Sequence, residues 1–171
     1  PFHTLPNEAT SLSCDRDFAY ILTRTPRGGS LIRYTLTGSR QGQSQTILTT
    51  EDQPQALCAV RGGCLLASGG NLVKVTDPVE GQVTTALLVA IQKPITSVVA
   101  DQARLIVYFS TADTTYAWIK GEIIPIFPAG NCLAWAGDTL FICLTSQPNS
   151  QIIQIPGVSQ HTEGLIKAIR K

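Results

Sequence analysis

Apolar positions in this chain fall in short paired runs separated by polar or glycine-bearing turns. The first pair is Leu12-Ser13-Cys14 with Ala19-Tyr20-Ile21-Leu22, and the second is Leu57-Cys58-Ala59-Val60 with Leu65-Leu66-Ala67-Ser68. The third is Val98-Val99-Ala100 with Leu105-Ile106-Val107-Tyr108, and the fourth is Leu133-Ala134-Trp135 with Phe141-Ile142-Cys143-Leu144. Leu12 to Ile21, Leu57 to Leu66, Val98 to Val107 and Leu133 to Ile142 are each nine residues apart. Two apolar runs around such a turn predict a β-hairpin. Four hairpins with one offset predict an internal repeat.

A third strand is predicted in every unit: Leu31-Ile32-Arg33-Tyr34-Thr35, Leu72-Val73-Lys74-Val75, Thr115-Tyr116-Ala117-Trp118-Ile119 and Ile152-Ile153-Gln154-Ile155. Their polar residues alternate with apolar ones, as on a sheet with one wet face. The second strands are apolar at nearly every position, which predicts cover on both faces. A fourth strand closes the first three units, at Gln45–Leu48, Thr84–Leu88 and Glu122–Ile126. Pro125 within the last of these has no N–H to donate, so it belongs on an edge or at a bulge. Pro6, Pro54, Pro94 and Pro128 each precede an inner strand. The fourth unit ends at Ile155 with three strands, and Phe2-His3-Thr4-Leu5 is expected to supply its missing edge.

Four units of about four strands, running from inner to outer, resemble the blades of a β-propeller of the WD40-like superfamily over about residues 2–156. The resemblance is one of shape. The Gly-His before the inner strand and the Trp-Asp after the third are absent, Val75-Thr76-Asp77 being a faint echo of the latter. It implies an all-β domain at 1–156, with repeats at about 9–50, 51–90, 91–129 and 130–156 plus the N-terminal strand 2–5. A β-sandwich is the alternative fold. The repeats either close on themselves or form part of a larger ring completed by another chain. Residues 157–171 are read as a linker and a short helix from Glu163 to Arg170, capped by Thr162 and apolar at Leu165, Ile166 and Ile169.

The totals narrow function without naming it. In 171 residues, 43% are hydrophobic and 15% charged, which supports a compact fold. A formal net charge of +1 provides no field to recruit nucleic acid or anionic lipid. No apolar run approaches the roughly 20 residues of a membrane span. The chain contains no Met, and Pro1-Phe2-His3 shows no signal-peptide pattern, so a processed product or an excised part of a longer protein is expected. Cys14, Cys58, Cys64, Cys132 and Cys143 each lie beside apolar residues and are expected as buried reduced thiols, hence a cytoplasmic setting. His3 and His161 give no metal-ligand spacing with them, so neither metal nor cofactor is expected.

Candidate chemistry is thin. Cys64 after Gly62-Gly63 has the setting of a nucleophile, but its segment runs straight into a hydrophobic strand like its counterparts. The acids sit mainly in turns, where Asp bonds nearby backbone N–H groups. The reading is a non-enzymatic interaction or scaffold module with no catalytic residue. A protein partner or a second copy is expected; no small-molecule substrate is evident and nucleic acid is not expected. A ligand- or glycan-binding propeller is the alternative, with a hydrolase behind it. The candidate interaction residues are Arg24, Arg27, Arg33, Arg61, Asp113 and Trp135.

Overall fold

In a computed structural model, residues 5, 7–79, 81–128, 130–145 and 150–169 are described. Among these residues, fifteen strands form four antiparallel sheets that follow one another around an axis as the blades of a four-blade propeller arrangement. Blade 1 comprises β1 (Glu8–Cys14), β2 (Phe18–Thr25), β3 (Gly28–Thr35) and β4 (Ser44–Thr50). Blade 2 comprises β5 (Pro54–Val60), β6 (Gly63–Ser68), β7 (Asn71–Val79) and β8 (Gln82–Ala90). Blade 3 comprises β9 (Ser97–Asp101), β10 (Ile106–Ser110), β11 (Thr114–Ile119) and β12 (Glu122–Pro128). Blade 4 has three strands, β13 (Cys132–Ala136), β14 (Thr139–Thr145) and β15 (Ser150–Pro156). Four separate sheets, rather than two stacked ones, set aside the sandwich. The N-terminal strand expected at 2–5 falls on residues 2–4, outside the described residues, and on Leu5, which is in no strand.

The nine-residue offset is the cross-strand register itself in three blades. Leu12 faces Ile21, Leu57 faces Leu66 and Leu133 faces Ile142. Blade 3 departs by two residues: Val98 faces Phe109, and Val107 faces Ala100. Its strands are joined by a four-residue turn, 102–105, where the hairpins of blades 2 and 4 use two residues. Leu105, expected to begin the second strand, instead stands in the turn with φ 57° and 75% of its surface exposed. Pro125 lies on β12, the outer strand of blade 3, beside an irregularity in its pairing with β11.

The core lies between blades rather than at one centre. Tyr20, Leu22 and Leu31 of blade 1 pack with Leu57, Leu66 and Val75 of blade 2. Leu65, Leu72 and Val89 of blade 2 pack with Val98, Val107 and Phe109 of blade 3. Ile106, Tyr108 and Ala117 of blade 3 pack with Leu133, Leu140 and Ile142 of blade 4. Hydrogen bonds accompany each junction. Ser13 Oγ accepts from Ala59 N at 2.8 Å, Gln102 Oε1 from Arg61 N at 2.9 Å, and Ser97 Oγ from Leu133 N at 3.0 Å.

The C-terminal helix α1 (Val158–Ile169) begins earlier than expected, directly after Gly157. Thr162 is therefore not its cap. It lies one turn inside and bonds the Val158 carbonyl oxygen at 2.9 Å. Val158 and Ile166 join the cluster of blades 3 and 4, whereas Leu165 is 49% exposed. Ser159, buried, donates to Asp101 Oδ2 at 2.6 Å and lies 2.9 Å from the Tyr108 hydroxyl. Burial opposes ionisation of Asp101, but hydrogen bonds from Ser159 and Arg104 outweigh it and hold its carboxyl below the usual range. The sign follows: this contribution is full above the ordinary carboxylate pKa and is lost as pH falls through the depressed folded value. Ser159→Ala removes the Ser159 bond from the Tyr108 hydroxyl and from Asp101 Oδ2, which keeps Arg104, and is expected to cost about 1–3 kcal/mol. Urea unfolding of both proteins measures it; an unchanged midpoint would show that the helix does not depend on this contact.

Candidate functional site

The connectivity places the six candidate interaction residues apart. Arg24 and Arg27 are exposed at the β2–β3 hairpin, and Asp113, at the same end of the blades, is ion-paired to Lys93. Arg61 lies at the opposite end, in the β5–β6 turn. Arg33 is committed to packing: its guanidinium stands 4.6 Å from the Phe18 ring centroid and 3.3 Å from Asp77, which also accepts from the Tyr20 hydroxyl at 2.7 Å. Trp135 stacks on Tyr108 at 5.4 Å, within the blade 3–blade 4 cluster. Arg33 and Trp135 thus make contacts within the chain, and the six do not form one surface.

Among the described residues, no group of three or more His, Cys, Asp or Glu could hold a metal ion. No helix is long and apolar enough to cross a membrane. The Cys64 thiol is fully buried, and that burial, with Asp77 nearby, pushes it up to about 12. Such a thiol is no nucleophile at neutral pH. Cys58 is raised to about 11 by burial. The expectation that all five cysteines are buried is corrected at Cys14 and Cys132, which are exposed because no neighbouring blade covers their faces. A brief pulse of alkylating reagent should therefore label Cys14 and Cys132 well before Cys64, as read by mass spectrometry of the peptides. Equal labelling of all three would contradict the burial described.

Two surfaces stand out once the packed junctions are set aside. The first is the outward side of blades 1 and 4. On blade 1, Leu12, Ile21 and Ile32 form one cross-strand row, and Cys14, Ala19 and Tyr34 form the next. On blade 4 the rows are Cys132, Cys143 and Ile152, then Ala134, Phe141 and Gln154. No charged residue occurs in these rows. Among the described residues, no buried cluster joins blade 4 to blade 1. Leu12 is 67% and Ile152 70% exposed, whereas Ala19 and Ile32 in the blade 1 rows are buried. Strand alternation puts these residues opposite the faces that pack on blades 2 and 3. The second surface is a cleft of about 600 Å³ between blades 2 and 3, at the end carrying the β5–β6 and β9–β10 turns. It runs from Arg61 and Lys74 on blade 2 to Leu105 and Trp118 on blade 3.

No family model matches the chain, and no curated protein matches it. Among solved structures it is similar to the crystal structure of the computationally designed Ika4 protein, with a TM-score of 0.65 and 13% identity over 91% of this chain and 96% of that one. At that identity the likeness shows the fold alone.

Proposed function

We propose that this chain is a non-enzymatic interaction module whose partner is a second copy of itself, seated blade 4 against blade 1. The observation that supports this is the pair of charge-free apolar faces at the two ends of the blade series. Every other blade face of this kind is covered by the next blade, so the end faces continue an interface that the chain already makes three times. A two-fold rotation brings blade 4 of each copy to blade 1 of the other, covering both faces at once. Exposed apolar side chains gathered on a face, as Leu12 and Cys14 are on blade 1 and Cys132, Ala134 and Ile152 on blade 4, mark an interaction site rather than solvent-facing sheet.

Light-scattering mass of the purified chain, across a hundredfold dilution series, tests the reading. The expected result is a two-chain mass at high concentration that falls toward one chain on dilution. A β-rich, folded monomer at every concentration would sink it. Cys14 and Cys132 give a second readout, because both should become slower to alkylate as the concentration rises.

A further inference from the structure

The cleft between blades 2 and 3 combines three features that blade packing does not require. Its walls are apolar, from Leu65 and Leu88 on one side and Leu105 and Val107 on the other. Two cations line it, exposed Arg61 and half-buried Lys74, and among the described residues neither side chain forms an ion pair. Among the described residues, the buried indole Nε1 of Trp118 has no hydrogen-bond acceptor. A buried donor without a partner is uncommon in a native fold and calls for a cause.

The acceptors nearby are already engaged. Asp101 takes bonds from Ser159, Ala103 N and Arg104, and Gln102 Oε1 takes one from Arg61 N. The cleft therefore offers the uncommitted cations Arg61 and Lys74 and few free side-chain acceptors. That favours an anion over a cation, and a sugar would find one aromatic wall and few acceptors. A phosphate would leave most of the apolar wall unused. Leu105 adds an independent sign. Its backbone is held in the left-handed region, which a residue with a branched side chain seldom adopts, and the result is an apolar side chain standing at the rim.

We propose that this cleft binds a small amphiphile carrying one carboxylate on an apolar body. Lys74 and Arg61 receive the carboxylate, while Leu65, Leu88, Leu105 and Val107 cover the body. A cleft of about 600 Å³ falls within the range of small-molecule sites. The site is built from blades 2 and 3 alone, so it stands whether or not the end faces of blades 1 and 4 meet a second copy.

The test is a calorimetric titration of the purified chain with decanoate, decanol and decyltrimethylammonium, each below its micelle concentration. Tryptophan fluorescence reports Trp118 in parallel. Decanoate should bind saturably and at least tenfold tighter than decanol, with no saturable binding of the cation. Lys74→Gln should weaken decanoate about tenfold and leave decanol unchanged. Leu105→Gly, which frees the backbone of its left-handed constraint and so keeps the fold, should weaken both ligands. Non-saturable uptake, equal affinity for all three ligands, or an unchanged Lys74→Gln variant would overturn the proposal. The same titration with N-acetyl-Ala-Ala-Leu-Phe as free acid and as amide identifies the source of the carboxylate. A preference for the peptide acid points to a chain terminus and a preference for decanoate to a free acid; no acid preference in either series overturns the site.

Discussion

Gly63→Ala is expected to cost more than about 4–5 kcal/mol of stability, whereas Gly62→Ala, one residue away, should cost about 1 kcal/mol. Both glycines have positive φ, 74° at Gly62 and 148° at Gly63. A Cβ on Gly62 would meet nothing within 4 Å. A Cβ on Gly63 would run into the carbonyl oxygen of Val75 and press on the Cα of Thr76, both backbone atoms of the neighbouring strand. Neither side can yield. Gly63 begins β6, which is paired on both edges, by β5 and β7. Separating β6 from β7 would expose Cys64, Leu66 and Val75, all buried against blade 1. A loss beyond about 4–5 kcal/mol is a large share of a stability of order 10 kcal/mol. Thermal melts followed by circular dichroism decide the matter. Similar melting temperatures for the two variants would show that the β6–β7 strands can separate at low cost.

Replacing Ile152 or Leu12 by Asp should convert the two-chain species to single chains without unfolding them. Both side chains are more than two-thirds exposed in the isolated chain, so a carboxylate there is solvated and nearly neutral for folding. In the proposed assembly the same carboxylate faces an apolar blade with no cation in its cross-strand rows. An unpaired charge buried there costs about 3 kcal/mol or more, and the two-fold axis applies it twice. The dissociation constant should rise about 10⁴-fold, at about 1.4 kcal/mol per decade. Sedimentation velocity at matched concentrations measures it. A variant that remains paired, or a wild-type chain that never pairs, would remove these faces from consideration.

Much of the architecture was legible because each blade repeats one hairpin. Leu12, Leu57 and Leu133 announce their partners at a fixed distance, and the strand count of every blade follows from the runs themselves. Blade 3 was misaligned by two residues because its apolar run starts one position too early: Leu105 continues the pattern in sequence but stands in the turn. Periodicity counts apolar letters and does not register backbone handedness. The helix was misplaced for a related reason. Thr162 has the chemistry of a cap, yet Gly157 and the anchorage of Ser159 on Asp101 start the helix a turn earlier. The candidate site was the least legible part. Arg33 and Trp135 carry the residue types of an interaction surface and are half-buried in contacts within the chain, while Lys74 reads as the wet side of an alternating strand. Its place in the cleft depends on blade 3 approaching from the other side, which no local pattern encodes.

The contact between α1 and Asp101 has a consequence for how the chain comes apart. Among the described residues the buried clusters join each blade to its neighbours in sequence, so cooperativity is that of a short linear array, with nearest-neighbour coupling and two frayable termini. At the C-terminal terminus α1 clasps the last two blades, through Ile166 in their shared cluster and Ser159 on Asp101. Among the described residues, blade 1 has no such clasp on its outward face. Opening of the isolated chain should therefore be polarised: amides of β1 and β2 exchange first, blade 2 follows, and the clasped pair of blades exchanges last, the helix serving as a terminal staple for an otherwise uncapped array.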